Sequence, residues 1–376
     1  MKSYDVVIIG GGLIGGAIAW ELARHGVQVV LLDRQQPGRE ASWAAAGILS
    51  ASPESPAAIP LVPLFKASLG LYPLFVAAVE EATGRTVGFR REGAIEAFFA
   101  GDARRELSTF IALNHGLGLA AEPLPVEEAR ELEPALSDKA HAAALLPDEA
   151  SVDNRLLTEA VLAAAAKAET EIRTGAAVER LMRSSGRVTG VVAGGEMVGA
   201  AQVVLAAGCF SAQIADLARY APMRPVRGQM VALHSEKVNV QRVLRSEHGY
   251  LVPRDDGRMV AGSTTENAGY EKGVTASGIE QILRAALEIA PGLAEAAIVE
   301  TWSGLRPGTP DHLPILGPTD VEGLLIATGH YRNGILLAPV TAKLVREWIT
   351  EGSTSLAVEA FSPMRFEQAP RASAAG

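Results

Sequence analysis

Cysteine is almost absent. The 376 residues hold one, Cys209, so no internal disulfide can form and no cysteine cluster exists for zinc or an iron–sulfur centre. The seven histidines (25, 115, 141, 234, 248, 312 and 330) show neither an HExxH pattern nor paired ligand spacing, and no metal is expected. Basic charge is outweighed. Against 43 Asp and Glu stand 34 Lys and Arg, a net charge of −9, which removes the basic face that nucleic-acid binding requires. No apolar run reaches the roughly 18 residues of a membrane span. The longest candidate, Leu69 to Val79, is interrupted by Gly70 and Pro73, so no integral membrane segment is expected and Leu61 to Val79 reads as a core helix. Met1-Lys2 ahead of Val6 to Ala19 has the outline of a signal peptide, but Asp5 precedes the apolar stretch. Export is therefore not expected, and with a single thiol the chain reads as cytoplasmic. There is no Walker A loop, no G-x-S-x-G elbow and no repeat of fixed period, so kinase, hydrolase and solenoid readings lose their support.

What the chain does have is 48% apolar and 20% charged residues, a globular composition that excludes bulk disorder. Its length alone suggests two or three domains. Val6 to Ile9 is an all-apolar run, Ala17 to Arg24 has helical periodicity, and Val27 to Leu32 is a second apolar run. Together they make a βαβ unit. Further apolar strands are expected at Val203 to Ala207 and Leu324 to Thr328. Alternating strands between them are expected at Val226 to Leu233, Tyr250 to Arg254 and Met259 to Ser263, with an Asp256-Gly257 hairpin. Helices are expected near Leu64 to Thr83, Asp102 to His115, Pro125 to Glu133, Asn154 to Ala168, Ser277 to Ala290 and Ala338 to Ile349. Residues 34–60 are irregular and too long for an ordinary connection, which marks them as functional. The expected fold class is α/β, more fully an α+β two-domain chain: a Rossmann-like domain interleaved with an antiparallel-sheet domain. The expected boundaries are 1–84, 145–220 and 301–365 for the first, 85–144 and 221–300 for the second, and 366–376 for a flexible tail.

Glycine is abundant, at 38 residues, and part of it is concentrated. Gly10-x-Gly12-x-x-Gly15 follows the first strand and opens the helix. That placement gives a tight turn, close approach of backbone to a pyrophosphate, and tight helix–strand packing. The helix N-terminus offers free N–H groups and the positive end of a dipole. Asp33 ends the second strand, where a carboxylate can accept hydrogen bonds from a ribose. The motif alone does not separate NAD from FAD. The late strand ending in Gly329-His330-Tyr331-Arg332-Asn333-Gly334 before a helix favours FAD, because a second helix start can face a flavin ring.

Several further segments are similar to one family. They are Asp5 to Arg34, residues 40–49 with Ala44-Ala45-Ala46-Gly47, Pro225 to Met230, His248 to Arg254, the Leu305-Arg306-Pro307-Gly308-Thr309-Pro310-Asp311 run, and Gly329 to Ile335. Together they resemble the D-amino acid oxidase and glycine oxidase family of FAD-dependent amine oxidoreductases, most of all its branch in thiamine biosynthesis. The resemblance implies that Gly10, Gly12, Leu13, Ile14, Gly15, Asp33 and Arg34 hold the adenosine and phosphate side of FAD. Ala41, Ser42, Ala46, Gly47 and Ile48 would line the pyrophosphate and flavin, Val178 the adenine, and Gly208 a further cofactor approach. His330, Tyr331, Arg332, Asn333, Gly334, Ile335 and Leu336 would run beside the flavin. Tyr250, Arg306 and Arg332 would bind substrate and serve catalysis. Taken alone, Arg306 reads as a surface ion pair and Tyr250 as half-buried packing; the surrounding motif turns Arg306 into a carboxylate fork. No cysteine stands near residues 304–306, so FAD is expected to be non-covalent. The implied activity is oxidative deamination of glycine and other small amino acids, with oxygen as acceptor and peroxide as product, in a homo-oligomer, a tetramer by resemblance. A D-amino acid or D-hydroxyproline dehydrogenase using a quinone stays open, as does an inactive flavin-binding sensor.

Overall fold

The computed structural model describes residues 2–366. Two eight-stranded sheets organise them. The first holds β1 (Ser3–Ile9), β2 (Val29–Leu32), β8 (Glu171–Arg173), β9 (Val178–Ser184), β10 (Arg187–Ala193), β11 (Glu196–Leu205), β17 (Ile315–Pro318) and β18 (Leu324–Thr328). Its order is β17-β18-β11-β1-β2-β8, with β10 and β9 branching from β11. The four apolar runs that the sequence spreads across the chain thus become neighbours, β18-β11-β1-β2, all parallel. Their alternate residues feed two cores. Val6, Ile8 and Leu31 face α1 (Leu13–Ala23), α3 (Val62–Thr83), α6 (Asn154–Lys167) and α8 (Ala338–Glu351). Val7, Val30 and Leu205 face the β9–β10 side with Leu217 and Tyr220. Burial on both faces is what a near-continuous apolar run in a parallel sheet requires.

The second sheet holds β4 (Ala94–Phe98), β5 (Glu122–Leu124), β6 (Ala142–Leu146), β12 (Arg224–His234), β13 (Val243–Ser246), β14 (Gly249–Pro253), β15 (Arg258–Gly262) and β16 (Ala297–Gly308). The order is β16-β12-β15-β14-β13-β4-β6-β5, antiparallel except for β13 against β4. One face packs under α7 (Ala276–Ile289), whose Ile282, Ala286 and Ile289 meet Leu244, Leu251 and Ala261. The other face turns toward the first sheet. The remaining elements are α2 (Ala41–Ala44), α4 (Ala103–Gly116), α5 (Val126–Leu132) and the short pair β3 (Ile48–Leu49) with β7 (Ala150–Ser151).

Three sequence expectations are changed. The run Leu69 to Val79 is not broken: α3 continues through Gly70 and Pro73, and the helical stretch Pro56–Thr83 is long and apolar enough to cross a membrane by length and composition. One stripe of it, including Leu64, Phe65, Ser68, Tyr72 and Val76, is buried in the first core, and tertiary packing of that stripe carries the helix past its weak residues. Second, β16, β4 and β6 are strands that local pattern does not reveal. Gly304, Pro307 and Gly308 lower β16's own propensity, and its long ladder with β12 overrides it. Third, the expected tail at 366–376 lies outside the described residues except for Phe366, which packs against the second core.

Candidate active site

α1 starts at Gly12 with no side-chain cap and no acid in its first turn, leaving its N-terminal dipole open to an anion. The glycines before it are required by contact. Gly10 has φ +107°, and a Cβ there would lie 2.5 Å from the Ala206 carbonyl oxygen. A Cβ on Gly15 would lie 1.9 Å from the Gly10 oxygen. Asp33 fixes this turn by accepting from Gly11 N–H at 2.7 Å and Gln35 N–H at 2.8 Å. Arg34 lies 3.4 Å over the Phe210 ring and bonds Glu40 at 3.0 Å. From this cradle a cavity of about 490 Å³ runs past residues 44–48 to residues 329–336 and the second sheet, a volume in the usual range for ligand sites.

The cavity wall is pinned from behind. Asn154 donates to the Ser42 carbonyl at 2.7 Å and the Trp43 carbonyl at 3.0 Å. Buried Arg254 donates to the Ala46 carbonyl at 2.8 Å and Asn154 Oδ1 at 2.9 Å. Trp302 donates to the Ala44 carbonyl at 3.1 Å. On the far wall, Tyr72 and Ser68 of α3 donate to the Ile335 and Leu336 carbonyls at 2.6 and 2.5 Å. These bonds satisfy buried backbone groups where residues 330–337 leave regular structure. His330 is buried beside Thr341, with Nε2 3.0 Å from Oγ1, and burial pushes its pKa down to about 3. It is a neutral structural group.

The second sheet supplies the charged face. Register places Glu96, Arg245, Tyr250, Gly262, Met230 and Trp302 in one cross-strand row. Period two along β16 then puts Gly304 and Arg306 on the same face. Missing side chains make room: a Cβ on Gly262 would lie 2.7 Å from both the Tyr250 hydroxyl and Met230 Sδ, and one on Gly228 would lie 2.3 to 2.5 Å from the Arg306 guanidinium.

Among the described residues, four arginines line the cavity: 34, 245, 306 and 332. Three have a carboxylate: Arg34 with Glu40 at 3.0 Å, Arg245 with Glu96 at 2.9 Å and Arg332 with Glu54 at 2.7 Å. Arg306 has none among the described residues. It donates to Ser263 Oγ at 2.6 Å, the Thr264 carbonyl at 3.0 Å and the Arg227 carbonyl at 3.4 Å. A guanidinium has five N–H groups, so two stay available. Burial, with Arg332 nearby, lowers its pKa, yet a guanidinium starts high enough to remain charged. A cation held this way, without an acid, is built to receive an anion.

Nearly all the predicted residues meet at this cavity. Gly10, Gly12, Ile14, Asp33, Arg34, Ala41, Ser42, Ala46, Gly47, Ile48, Val178, Gly208, Tyr250, Arg306 and residues 330–336 line it. Leu13 and Gly15 do not: the Leu13 side chain is in the core and its N–H bonds Ser42 Oγ at 2.9 Å, while Gly15 serves packing against Gly10. Sequence reasoning missed Ser50, Glu54, Met230 and Arg245, which also line it. Only strand pairing brings Arg245 beside Tyr250 and Glu96.

FAD fits these residues. The uncapped helix start and the glycine cradle suit a pyrophosphate, Asp33 suits a ribose, and the cavity continues to a second helix start suited to a flavin ring. Cradle, long cavity and charged sheet face together define a two-domain flavin-dependent oxidoreductase. The chain belongs to the family described as FAD dependent oxidoreductase, whose profile matches residues 5–348. It is 36% identical over 369 residues to the bifunctional protein ThiO/ThiG of Synechocystis sp., covering 96% of this chain and 54% of that one. The chain therefore spans about half the length of that relative. The crystal structure of glycine oxidase from Geobacillus kaustophilus superposes with TM-score 0.92 at 32% identity, covering 97% of this chain and 99% of the other. Iminodiacetate oxidase from Chelativorans sp. BNC1 superposes with TM-score 0.86 at 30% identity, covering 95% and 98%.

Proposed function

We propose that this chain is an amino acid oxidase that deaminates glycine and other small amines bearing a carboxylate, such as sarcosine and small D-amino acids. The observation that carries this reading is Arg306, the cavity arginine with no acidic partner among the described residues. Its two remaining N–H groups take the substrate carboxylate, and the Tyr250 hydroxyl, now 3.5 Å from Met230 Sδ, turns to the same group. Arg332, whose Nε is paired with Glu54 at 2.7 Å, lies beside them at the substrate end of the cavity. Held at its carboxylate, the substrate presents its Cα–H toward the 330–336 wall. When bound, FAD supplies a two-electron acceptor there that passes electrons on to dioxygen. The chain's contribution is positioning and exclusion of water. Among the described residues of the wall, buried His330 is too acidic to serve as a base, so the amine enters as its free base. The oxidised product is an imine, which water converts to a keto acid, glyoxylate from glycine, and ammonia.

The cofactor residues are those lining the cavity from Gly10 to Gly47, with Val178, Gly208 and 330–336. Non-covalent attachment is supported by Cys209, whose thiol is buried and pushed up to about 12, where it carries almost no thiolate. The names of the relatives support a place in thiamine thiazole formation. Exposed Ile298 and Val299 on the edge strand β16 support a homo-oligomer, taken here as a tetramer. A single buried thiol fits a reducing, cytoplasmic setting. The test is peroxide formation in air with glycine, sarcosine, D-alanine and D-proline, repeated with an artificial electron acceptor. Peroxide with glycine supports the reading; dye reduction with negligible peroxide replaces it with a dehydrogenase.

A further inference from the structure

The strand that carries Arg306 has three further residues on the same face. From Glu300 to Arg306 its ladder is unbroken, pairing Glu300 with Ala232, Trp302 with Met230, Gly304 with Gly228 and Arg306 with Val226. Period two therefore sets Glu300, Trp302, Gly304 and Arg306 in one row. The first three all dock on α2 or on the start of α6. Glu300 takes a two-pronged fork from Arg155 of α6, at 2.9 and 3.1 Å, with Arg258 4.0 Å away. The Arg155 guanidinium lies between two rings, 3.7 Å over Trp43 and 4.7 Å over Trp302, and its Nε donates to the Trp43 carbonyl at 3.3 Å. Trp302 donates to the Ala44 carbonyl at 3.1 Å. Gly304 comes so close to α2 that a Cβ on it would lie 2.3 Å from Ala44 Cβ. α2 in turn is tied to the glycine cradle, where Ser42 Oγ accepts from Leu13 N–H at 2.9 Å. Arg306 is held differently. Its acceptors, Ser263, Thr264 and Arg227, come from β12 and the end of β15, so the fork is built within the second sheet.

We propose that Glu300, Trp302 and Gly304 are positioning residues: docked on α2 and Arg155, they set the spacing between a substrate held by Arg306 and the cofactor wall, without taking part in carboxylate binding. The identity of that substrate rests on the proposed function. Binding is local to the second sheet, whereas electron transfer depends on how the second sheet sits against α2. The bare backbone at Gly304 fixes the closest approach. The fork and the two rings resist sliding, because a planar guanidinium that is both stacked and bidentate has one favoured placement. A displacement of about 1 Å arising away from the chemistry costs on the order of 100-fold in rate.

The experiment uses the FAD-loaded protein and reads binding and reduction separately. Methoxyacetate, an unreactive carboxylate, is titrated against the flavin absorption spectrum, and the rate of anaerobic bleaching is measured at saturating glycine. Gly304→Ala wedges β16 from α2 by about 1 Å, since ordinary contact begins at 3.4 Å. It is expected to slow bleaching about 100-fold and to shrink the methoxyacetate signal, with methoxyacetate affinity within about threefold of the unaltered protein. Adding Ala44→Gly to Gly304→Ala moves the methyl across the contact, where it would lie 3.8 Å from the Cα of residue 44. That pair is expected to recover at least about tenfold of the lost rate, and the signal with it. Glu300→Gln opens the fork without added bulk and is expected to slow bleaching about tenfold, again with affinity kept. An unchanged rate in Gly304→Ala overturns the proposal, as does an affinity that falls in step with the rate or a double variant that recovers nothing. If Gly304→Ala loses FAD, the double variant and Glu300→Gln decide. If glycine, sarcosine and D-alanine bleach nothing in the unaltered protein, the proposed function fails, while the methoxyacetate signal across the same variants still judges the contact. No methoxyacetate signal in the unaltered protein overturns the proposal too.

Discussion

Replacing Gly228 by alanine isolates the geometry of Arg306 from its charge. The added Cβ would lie 2.3, 2.4 and 2.5 Å from Nη1, Nη2 and Cζ of Arg306, where ordinary contact begins at 3.4 Å. The guanidinium must therefore move by about 1 Å. The fold tolerates this, because the obstructing atoms end a flexible side chain. The site does not: misplacing a substrate-holding group by about 1 Å costs on the order of 100-fold in rate, roughly 2.7 kcal/mol. The bonds to Ser263 and the Thr264 carbonyl are lost or bent with the move, so the effect falls on substrate and not on cofactor. Steady-state peroxide formation with glycine should show kcat/KM down about 100-fold, with FAD content and melting temperature near those of the unaltered protein. Arg306→Lys, which keeps the charge but loses the fork, should behave similarly. A kcat/KM within about threefold of the unaltered value for Gly228→Ala would refute the role given to Arg306.

Other perturbations address the cofactor side and the frame. Asp33→Ala removes the acceptor for Gly11 and Gln35 N–H and should lower FAD occupancy after dialysis; full retention argues against a ribose contact. Tyr72→Phe leaves the Ile335 carbonyl unpaired in the core and should cost about 1–3 kcal/mol of stability, read by urea unfolding. His330 has its folded pKa depressed to about 3, so the unfolded chain takes its proton first. The stability this residue contributes is fully present above its unfolded pKa of about 6.5 and falls as pH drops toward 3, by up to about 1.4 kcal/mol per pH unit. His330→Gln should therefore show a flatter fall of melting temperature between pH 6.5 and 4; parallel curves would contradict the buried neutral imidazole.

Local pattern made the cofactor half legible. The glycine turn, the two apolar strands and Asp33 lie within thirty-odd residues, and the physics joining them is a turn, a helix start and a strand end. Arg306 and Tyr250 were legible through the motifs around them. The Glu96–Arg245–Glu149 cluster was not, since its members lie on β4, β13 and the turn before β7 and meet only through a parallel pairing of distant strands. Gly228 was visible as a glycine, but its reason, the guanidinium of Arg306, exists only after β12 pairs with β16. The expected boundaries at 144/145 and 300/301 fall inside β6 and β16, strands that lie wholly within the second sheet and that local pattern does not reveal. α3 was legible as a helix from Leu64 to Thr83, but Gly70 and Pro73 concealed that the helical stretch Pro56–Thr83 is long and apolar enough to cross a membrane.

The central step is that a carboxylate-bearing amine held by Arg306 gives up two electrons in this cavity. Anaerobic addition of glycine to the FAD-loaded protein tests it without regard to the final acceptor. The oxidised flavin absorbance is expected to bleach with saturation in glycine, and Arg306→Ala to shift the saturation to much higher concentration. An oxidised spectrum that glycine, sarcosine and D-alanine all leave unbleached would contradict it.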